Sequence, residues 1–125
     1  MTSVELSIVV PAYNEAQRLP HGLPRLCAAV ADQPWEVILV DDCSTDDTAA
    51  DAVDLLAGLP RARVVQLDRH RGKGAAVRAG VAEATGDKIM FMDADLATDL
   101  IHISEMVMHL DDHGVVIASR NPQGR

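Results

Sequence analysis

A chain of 125 residues with a formal charge of −8 has the length of one domain and the wrong sign for unspecific binding to nucleic acid or to anionic lipid. Hydrophobic residues make up 48% of the sequence, which is enough for a packed core, whereas aromatic residues make up 2%, which argues against a nucleic-acid site built on stacked rings. Any phosphate on a ligand therefore needs a divalent cation or a local cluster of basic residues.

The two cysteines and the N-terminal residues predict the compartment. Cys27 and Cys43 are too few for a disulfide framework, so we expect a reducing environment. Residues 1–3 carry no basic charge, and the apolar run 7–11 is too short for a signal peptide. No stretch approaches the roughly 20 apolar residues of a membrane span. We expect a cytoplasmic protein without a transmembrane segment, and peripheral attachment at the inner face of the membrane stays open.

Strand and helix signals alternate along the sequence, which is typical of α/β proteins whose parallel sheet is covered on both faces. In chain order, the predicted elements are strand 6–10, closed by Pro11, helix 18–31, strand 36–40, helix 47–57, strand 63–67, helix 74–84, strand 88–92, helix 100–111 and strand 115–118. Pro20 and Pro24 predict a late or irregular start of the first helix. A last strand without a following helix suggests an incomplete unit.

The second and fourth predicted strands run directly into aspartates, Asp41 and Asp42 after one and Asp93 and Asp95 after the other. The carboxyl ends of parallel strands meet at the edge of the sheet where α/β proteins bind ligands. There, Asp42 could accept hydrogen bonds from a nucleotide base. Asp93 and Asp95 could converge on one hard cation or contact a ribose. Helix caps and solvated turns are the alternative for each cluster.

Polar residues also follow the first predicted strand, at the same expected edge. Tyr13 could pack on a flat ligand while Asn14 and Glu15 supply polar contacts. The alternative is a turn before a helix, with Glu15 near the positive end of the helix dipole. After the second strand, Ser44 or Asp46 is expected to cap the next helix, because both residue types are preferred N-caps.

Basic residues cluster between the third predicted strand and the third helix, at Arg69, Arg71, Lys73 and Arg78. Helix N-termini bind anions, and glycines beside Lys73 allow close approach of the backbone, so Lys73 is a candidate phosphate contact. The loop is not a P-loop, because the Ser or Thr required by the Walker pattern is missing.

Four motifs, taken together and in order, resemble those of the family 2 glycosyltransferases of the GT-A fold. They are residues 9–15 (VVPAYNE), 40–46 (VDDCSTD), 71–76 (RGKGAA) and 92–95 (MDAD). The similarity is greatest to polyprenyl-phosphate sugar synthases, such as dolichyl-phosphate glucosyl- and mannosyltransferases. The resemblance implies a Rossmann-like, three-layer αβα fold with a mostly parallel sheet. It also implies inverting transfer of a sugar from a nucleotide-diphospho-sugar to a polyprenyl phosphate, with Mg²⁺ or Mn²⁺ stabilising the leaving nucleoside diphosphate.

The resemblance further implies a role for individual residues. Those assigned to the nucleotide base are Pro11, Tyr13, Glu15 and Asp42. Lys73 is expected beside the nucleotide, Asp93 at the ribose or the metal, and Asp95 at the metal that bridges the pyrophosphate. Arg120 resembles the arginine that follows the fifth strand in these synthases and is expected to contact a phosphate. No residue of the chain is identified as the general base.

Two positions depart from the family pattern. Cys43 stands where the family usually has glycine, which alters the loop without necessarily disabling it. Ala97 stands two residues after Asp95, where the mannosyl-type synthases carry glutamine. This second difference favours UDP-glucose over GDP-mannose as the donor.

The chain is roughly half as long as the catalytic domains of these enzymes. We therefore expect residues 1–125 to form a single donor-binding half-domain, truncated after about the fifth strand, with the acceptor site and the general base elsewhere. A noncatalytic nucleotide-sugar-binding module is the main alternative, and an oligomer or a complementing partner chain stays open. A receiver-like signalling domain fits less well, because its paired acids follow the first strand.

Overall fold

The computed structural model describes residues 4–92 and 115–118. Its elements in chain order are β1 (Leu6–Ala12), α1 (Leu19–Val30), β2 (Trp35–Asp41), α2 (Thr48–Leu56), β3 (Ala62–Gln66), α3 (Lys73–Glu83), β4 (Lys88–Met92) and β5 (Val115–Ala118). Each of these elements was predicted, and no boundary moves by more than two residues. The helix predicted over 100–111 lies outside the described residues.

The strands form one parallel sheet in the order β3-β2-β1-β4-β5. Ala12 and Asp41 are register partners, so β1 and β2 end side by side. The strand order reverses between β1 and β4, and α/β proteins bind ligands beyond the carboxyl ends of the strands at such a reversal. The structure confirms the predicted α/β class with a parallel sheet.

Side chains alternate between two covered faces of the sheet, as expected for buried parallel strands. Ile8 and Val10 belong to a core shared with α1 and α2, whereas Val9 and Val40 pack on the other face with α3. Gly80 brings α3 close to the sheet, because a Cβ atom at this position would lie 2.3 Å from Cγ1 of Val9. The result is the predicted three-layer arrangement of helices around a central sheet.

Prolines lie within two elements. The prediction that Pro11 closes β1 is wrong, because Pro11 lies inside β1, opposite Val40. The pairing of β1 with β4 ends at Val9, so an amide nitrogen without hydrogen is tolerated two residues later. In α1, Pro20 falls in the first turn, where no intrahelical donor is needed, but Pro24 lies in the helix interior and removes one backbone hydrogen bond. Leu19, Leu23 and Leu26 of α1 are fully buried, and burial of such apolar side chains stabilises the helix against the sheet.

A buried polar cluster lies at the edge of the sheet where the strands begin. The carboxylate of Glu36, 2% exposed, accepts hydrogen bonds from Ser7 Oγ, from the Thr85 amide at 2.6 Å and from Arg63 Nη1 at 3.2 Å. Burial alone would raise the pKa of Glu36, but the bonds from Ser7 and Thr85 and the charge of Arg63 outweigh burial and lower it. This cluster ties the segment after α3 to β1 and β2, away from the carboxyl ends of the strands.

Candidate functional site

The loops after β1 and β2 are joined by hydrogen bonds at the carboxyl edge of the sheet. The Asn14 amide donates to Ser44 Oγ at 2.9 Å, and the Thr45 amide donates to Asn14 Oδ1 at 2.8 Å. One step further, the Glu15 amide donates to Thr48 Oγ1 at 2.9 Å. Asn14 therefore holds the two loops together, a role that the sequence analysis did not assign to it.

The aspartates around Ser44 shape the loop before α2. Asp41, which is buried, accepts the Ser44 amide at 3.3 Å and also the Ser44 hydroxyl. Asp46 accepts the Thr48 amide at 2.9 Å in a turn that leads into α2, but the N-cap residue of α2 is Asp47, so the prediction that Asp46 caps this helix is wrong. The hydrogen bonds from Thr48 and Ala16 lower the pKa of Asp46. Ser44 does not cap the helix, because its hydroxyl joins Asn14 to Asp41.

Cys43, in the loop after β2, and Gly72, before α3, adopt positive φ angles. Cys43 has φ of 59°, a left-handed conformation that glycine adopts at lower cost. The structure thus explains why the departure from glycine at this position matters. Gly72, the residue before α3, has φ of 98° and ψ of 165°, a region open essentially to glycine alone.

Both cysteines are free thiols, and burial raises the pKa of Cys27.

Asp42 binds the loop between β3 and α3. Its carboxylate, 3% exposed, accepts the Arg71 amide at 2.7 Å on Oδ1 and the Gly72 amide at 2.8 Å on Oδ2. Nδ1 of His70 lies 2.7 Å from the same Oδ2. The capping and turn alternatives for the Asp41-Asp42 pair therefore describe Asp41, whereas Asp42 acts over a longer range by fixing the basic loop against the end of β2.

Tyr13 and His70 stack on each other above this carboxylate. Their ring centroids are 4.0 Å apart, and the planes are inclined by 27°. Tyr13 is 40% exposed, and it offers an aromatic surface at the edge of the sheet. The structure therefore brings together Tyr13 and Asp42, two of the predicted base contacts, with His70, which the sequence analysis had left without a role.

Three other predicted site residues lie on the same side of the sheet as Asp42. Pro11 is buried within β1, and Glu15 lies before α1, where its carboxylate pairs with Arg18 Nη1 at 2.6 Å. Lys73 is the first residue of α3 and is exposed. All three belong to segments at or beyond the carboxyl ends of β1 and β3, on the same side of the sheet as Asp42.

The predicted metal and phosphate residues Asp93, Asp95 and Arg120 lie outside the described residues. Within 4–92 and 115–118, no group of three His, Cys, Asp or Glu side chains is arranged to hold a metal ion. β4 ends at Met92 and pairs directly with β1, so the strand that Asp93 follows in sequence is next to the strand that leads to Tyr13.

The sequence matches the family described as Glycosyl transferase family 2 over residues 7–124. The chain belongs to glycosyl transferase family 2. A dolichyl-phosphate beta-glucosyltransferase of Drosophila melanogaster is 38% identical over 135 residues, which cover 94% of this chain and 41% of that protein. A dodecaprenyl-phosphate galacturonate synthase of Rhizobium johnstonii is 43% identical over 113 residues, covering 87% of this chain and 33% of the relative. The chain thus spans well under half the length of these relatives.

Solved structures of glycosyltransferases share the fold. TarS of S. aureus, in complex with UDP-GlcNAc, has a TM-score of 0.64 and 31% identity over 74% of this chain and 27% of TarS. The mannosyltransferase PcManGT of Pyrobaculum calidifontis, in complex with GDP-Man and Mn²⁺, has a TM-score of 0.65 and 29% identity over 73% of this chain and 27% of its own. The predicted GT-A fold and glycosyltransferase family are both confirmed.

Proposed function

We propose that the chain forms the donor-binding part of an inverting glycosyltransferase that uses a nucleotide-diphospho-sugar and a polyprenyl-phosphate acceptor. The observation that carries this proposal is the position of Tyr13 and Asp42 beyond the adjacent strands β1 and β2 of a family 2 fold, next to the reversal of strand order between β1 and β4. An exposed aromatic ring beside a buried carboxylate suits a nucleobase, which needs a flat contact and an acceptor for its N–H group.

Hydrogen bonds hold the proposed base contacts in place before a ligand binds. The amides of Arg71 and Gly72 hold Asp42 in place, and Asn14 fixes the loop that carries Tyr13. A site whose contact groups are already held loses little conformational entropy on binding. Pro11, near the end of β1, and Glu15, in the segment before α1, remain proposed contacts of the base beside Tyr13 and Asp42.

The phosphates of the donor would lie towards the N-terminus of α3. Lys73 is at the first position of this helix, where exposed backbone amides and the helix dipole favour an anion. This position supports the proposed contact between Lys73 and the nucleotide. Arg120, which follows β5 in sequence, would add a second cation to the phosphate contacts.

A divalent cation is part of the proposal. Asp93 and Asp95 would hold Mg²⁺ or Mn²⁺, because carboxylate oxygens suit these hard ions and because Asp93 follows β4, the strand beside β1. When bound, the ion would neutralise charge on the departing nucleoside diphosphate. The presence of Mn²⁺ with GDP-Man in PcManGT supports a divalent ion in this fold.

The donor and acceptor are inferred from the relatives and from one residue. Ala97 and the glucosyltransferase relative favour UDP-glucose over GDP-mannose. A third polyprenyl-phosphate relative is an undecaprenyl-phosphate 4-deoxy-4-formamido-L-arabinose transferase of Sodalis glossinidius. It is 38% identical over 117 residues, which cover 90% of this chain and 36% of that protein.

None of the helices in residues 4–92 has the length and apolar character needed to cross a bilayer. We propose a cytoplasmic location with peripheral contact at the inner face of the membrane.

Isothermal titration calorimetry with UDP-glucose and GDP-mannose, each with and without Mn²⁺, tests this function. We expect metal-dependent binding of UDP-glucose that Asp95→Ala abolishes and that Asp87→Ala, before β4 at the opposite edge, preserves. Binding that is equal in Asp95→Ala and the unmodified chain would overturn the metal assignment. Transfer of labelled sugar to polyprenyl phosphate distinguishes an active enzyme from a binding module that needs a further part.

A further inference from the structure

His70 makes the two contacts that the proposed site offers to a nucleobase. Its imidazole is a flat, aromatic ring with an N–H donor, like the edge of a base. The ring stacks on Tyr13 with centroids 4.0 Å apart, and Nδ1 lies 2.7 Å from Asp42 Oδ2. A base stacked on the same face of Tyr13 and bonded to the same oxygen would overlap the imidazole.

The contacts of the Asp42 carboxylate lead to the same conclusion. Each carboxylate oxygen has two lone-pair positions. Oδ2 accepts the Gly72 amide at 2.8 Å and lies 2.7 Å from Nδ1 of His70, so the imidazole fills the space in front of this oxygen. Departure of the imidazole would open this side of Oδ2 to another donor while the Gly72 amide and the Arg71 amide on Oδ1 stay bound.

We propose that His70 is an intramolecular occupant of the base subsite and that the nucleobase of the donor displaces it. The inference rests on the proposed function, because it takes Tyr13 and Asp42 as the base contacts. His70 then acts as a specificity-determining residue: a ligand must offer both a ring for Tyr13 and a donor for Asp42 to replace what the imidazole supplies.

The side chain of His70 is free to leave without unfolding the loop. It is 55% exposed, so rotation towards solvent gives up the stack on Tyr13 and the close approach to Asp42. The backbone of the next two residues stays attached to Asp42 through their amides. The displacement is therefore a rotation of one side chain, and the phosphate-facing end of α3 need not move.

A platform is the competing role for His70, in which the base would stack on the outer face of the imidazole. The two roles predict opposite effects of truncation. If the imidazole occupies the subsite, only the fraction of molecules with His70 rotated away binds the base, and removing the ring raises the apparent affinity. If the imidazole is a platform, removing it weakens binding.

The test compares His70→Ala, His70→Phe and the unmodified chain by calorimetry with uridine, UDP and inorganic pyrophosphate, the last two with Mg²⁺. We expect His70→Ala to bind uridine and UDP about three- to tenfold more tightly and pyrophosphate unchanged. His70→Phe keeps the stack but loses the bond to Asp42, and should show a smaller gain. His21→Ala, an exposed histidine on α1, is the control and should bind like the unmodified chain.

Equal or weaker binding of uridine and UDP by His70→Ala overturns the proposal, as does an equal gain for pyrophosphate. Thermal unfolding monitored by circular dichroism verifies that each variant is folded. If the unmodified chain and His70→Ala both fail to bind any of the uridine compounds, the proposed base site is itself wrong. If UDP binds to both equally, the base site stands and only the role of His70 is refuted.

Discussion

Replacement of Asp42 by alanine measures how much the site depends on this carboxylate before any ligand binds. The change leaves the amides of Arg71 and Gly72 without their acceptor and removes the anchor of His70. A hydrogen bond to a charged group contributes about 1.5 to 3 kcal/mol, and water at the open side of the loop replaces part of each bond. We therefore expect the free energy of unfolding to fall by about 2 to 4 kcal/mol.

Urea unfolding followed by the fluorescence of Trp35 gives this free energy, and hydrogen exchange at the two loop amides shows where it is lost. Asp68→Ala is a control in the same loop, because the Asp68 side chain is 81% exposed and lies 3.8 Å from Arg71 Nε. We expect no measurable change in that variant. Unfolding free energies that are equal for Asp42→Ala and the unmodified chain would refute the structural role of Asp42. Base recognition would then be its one remaining proposed role.

Three further changes test other features of the structure. The pKa of Glu36 is lowered in the folded state, so its ionised carboxylate contributes to the free energy of unfolding. This contribution is complete above the unfolded pKa near 4.5 and is lost as pH falls through the folded pKa. Glu36→Gln should therefore flatten the acid-side decline of the unfolding free energy measured in urea. Gly80→Ala should cost about 1 to 3 kcal/mol by forcing Val9 aside, and Gly58→Ala, with open space around its Cβ, should cost nothing. Cys43→Gly should raise the unfolding free energy by about 0.5 kcal/mol, and Cys43→Val should lower it.

Each of these three tests has a clear contrary result. An unchanged acid-side slope in Glu36→Gln would show that the carboxylate is not held ionised by its neighbours. Equal thermal stability of Gly80→Ala and Gly58→Ala would mean that α3 does not approach β1 as closely as the structure has it. A loss of stability in Cys43→Gly would contradict the left-handed strain.

Most of the fold could be predicted from the sequence, because local patterns agree with the tertiary structure. Short, mainly apolar runs between turn residues mark the strands, and β4 was predicted at its observed bounds. The exception at Pro11 has a physical reason: whether a proline ends a strand depends on which neighbouring strand is still paired there, and that is a property of the sheet.

The candidate site could be predicted only in part. That Tyr13 and Asp42 share one edge follows from their positions after strands, which the sequence shows. That Asp42 binds the amides of Arg71 and Gly72 depends on β3 lying next to β2 and bringing its following loop over the end of β2. The contact of His70 with both Tyr13 and Asp42 has the same origin, and no spacing in the sequence indicates it.

The central claim is that a donor nucleotide binds beyond the carboxyl ends of β1 and β2. A titration of the ¹⁵N-labelled chain with UDP and Mg²⁺, followed by amide and histidine side-chain resonances, tests it most directly. We predict the largest shifts at Tyr13, at His70 and at the Gly72 amide, with the cluster around Glu36 unchanged. Shifts concentrated around Glu36 and Thr85, with Tyr13 and His70 unaffected, would contradict the claim.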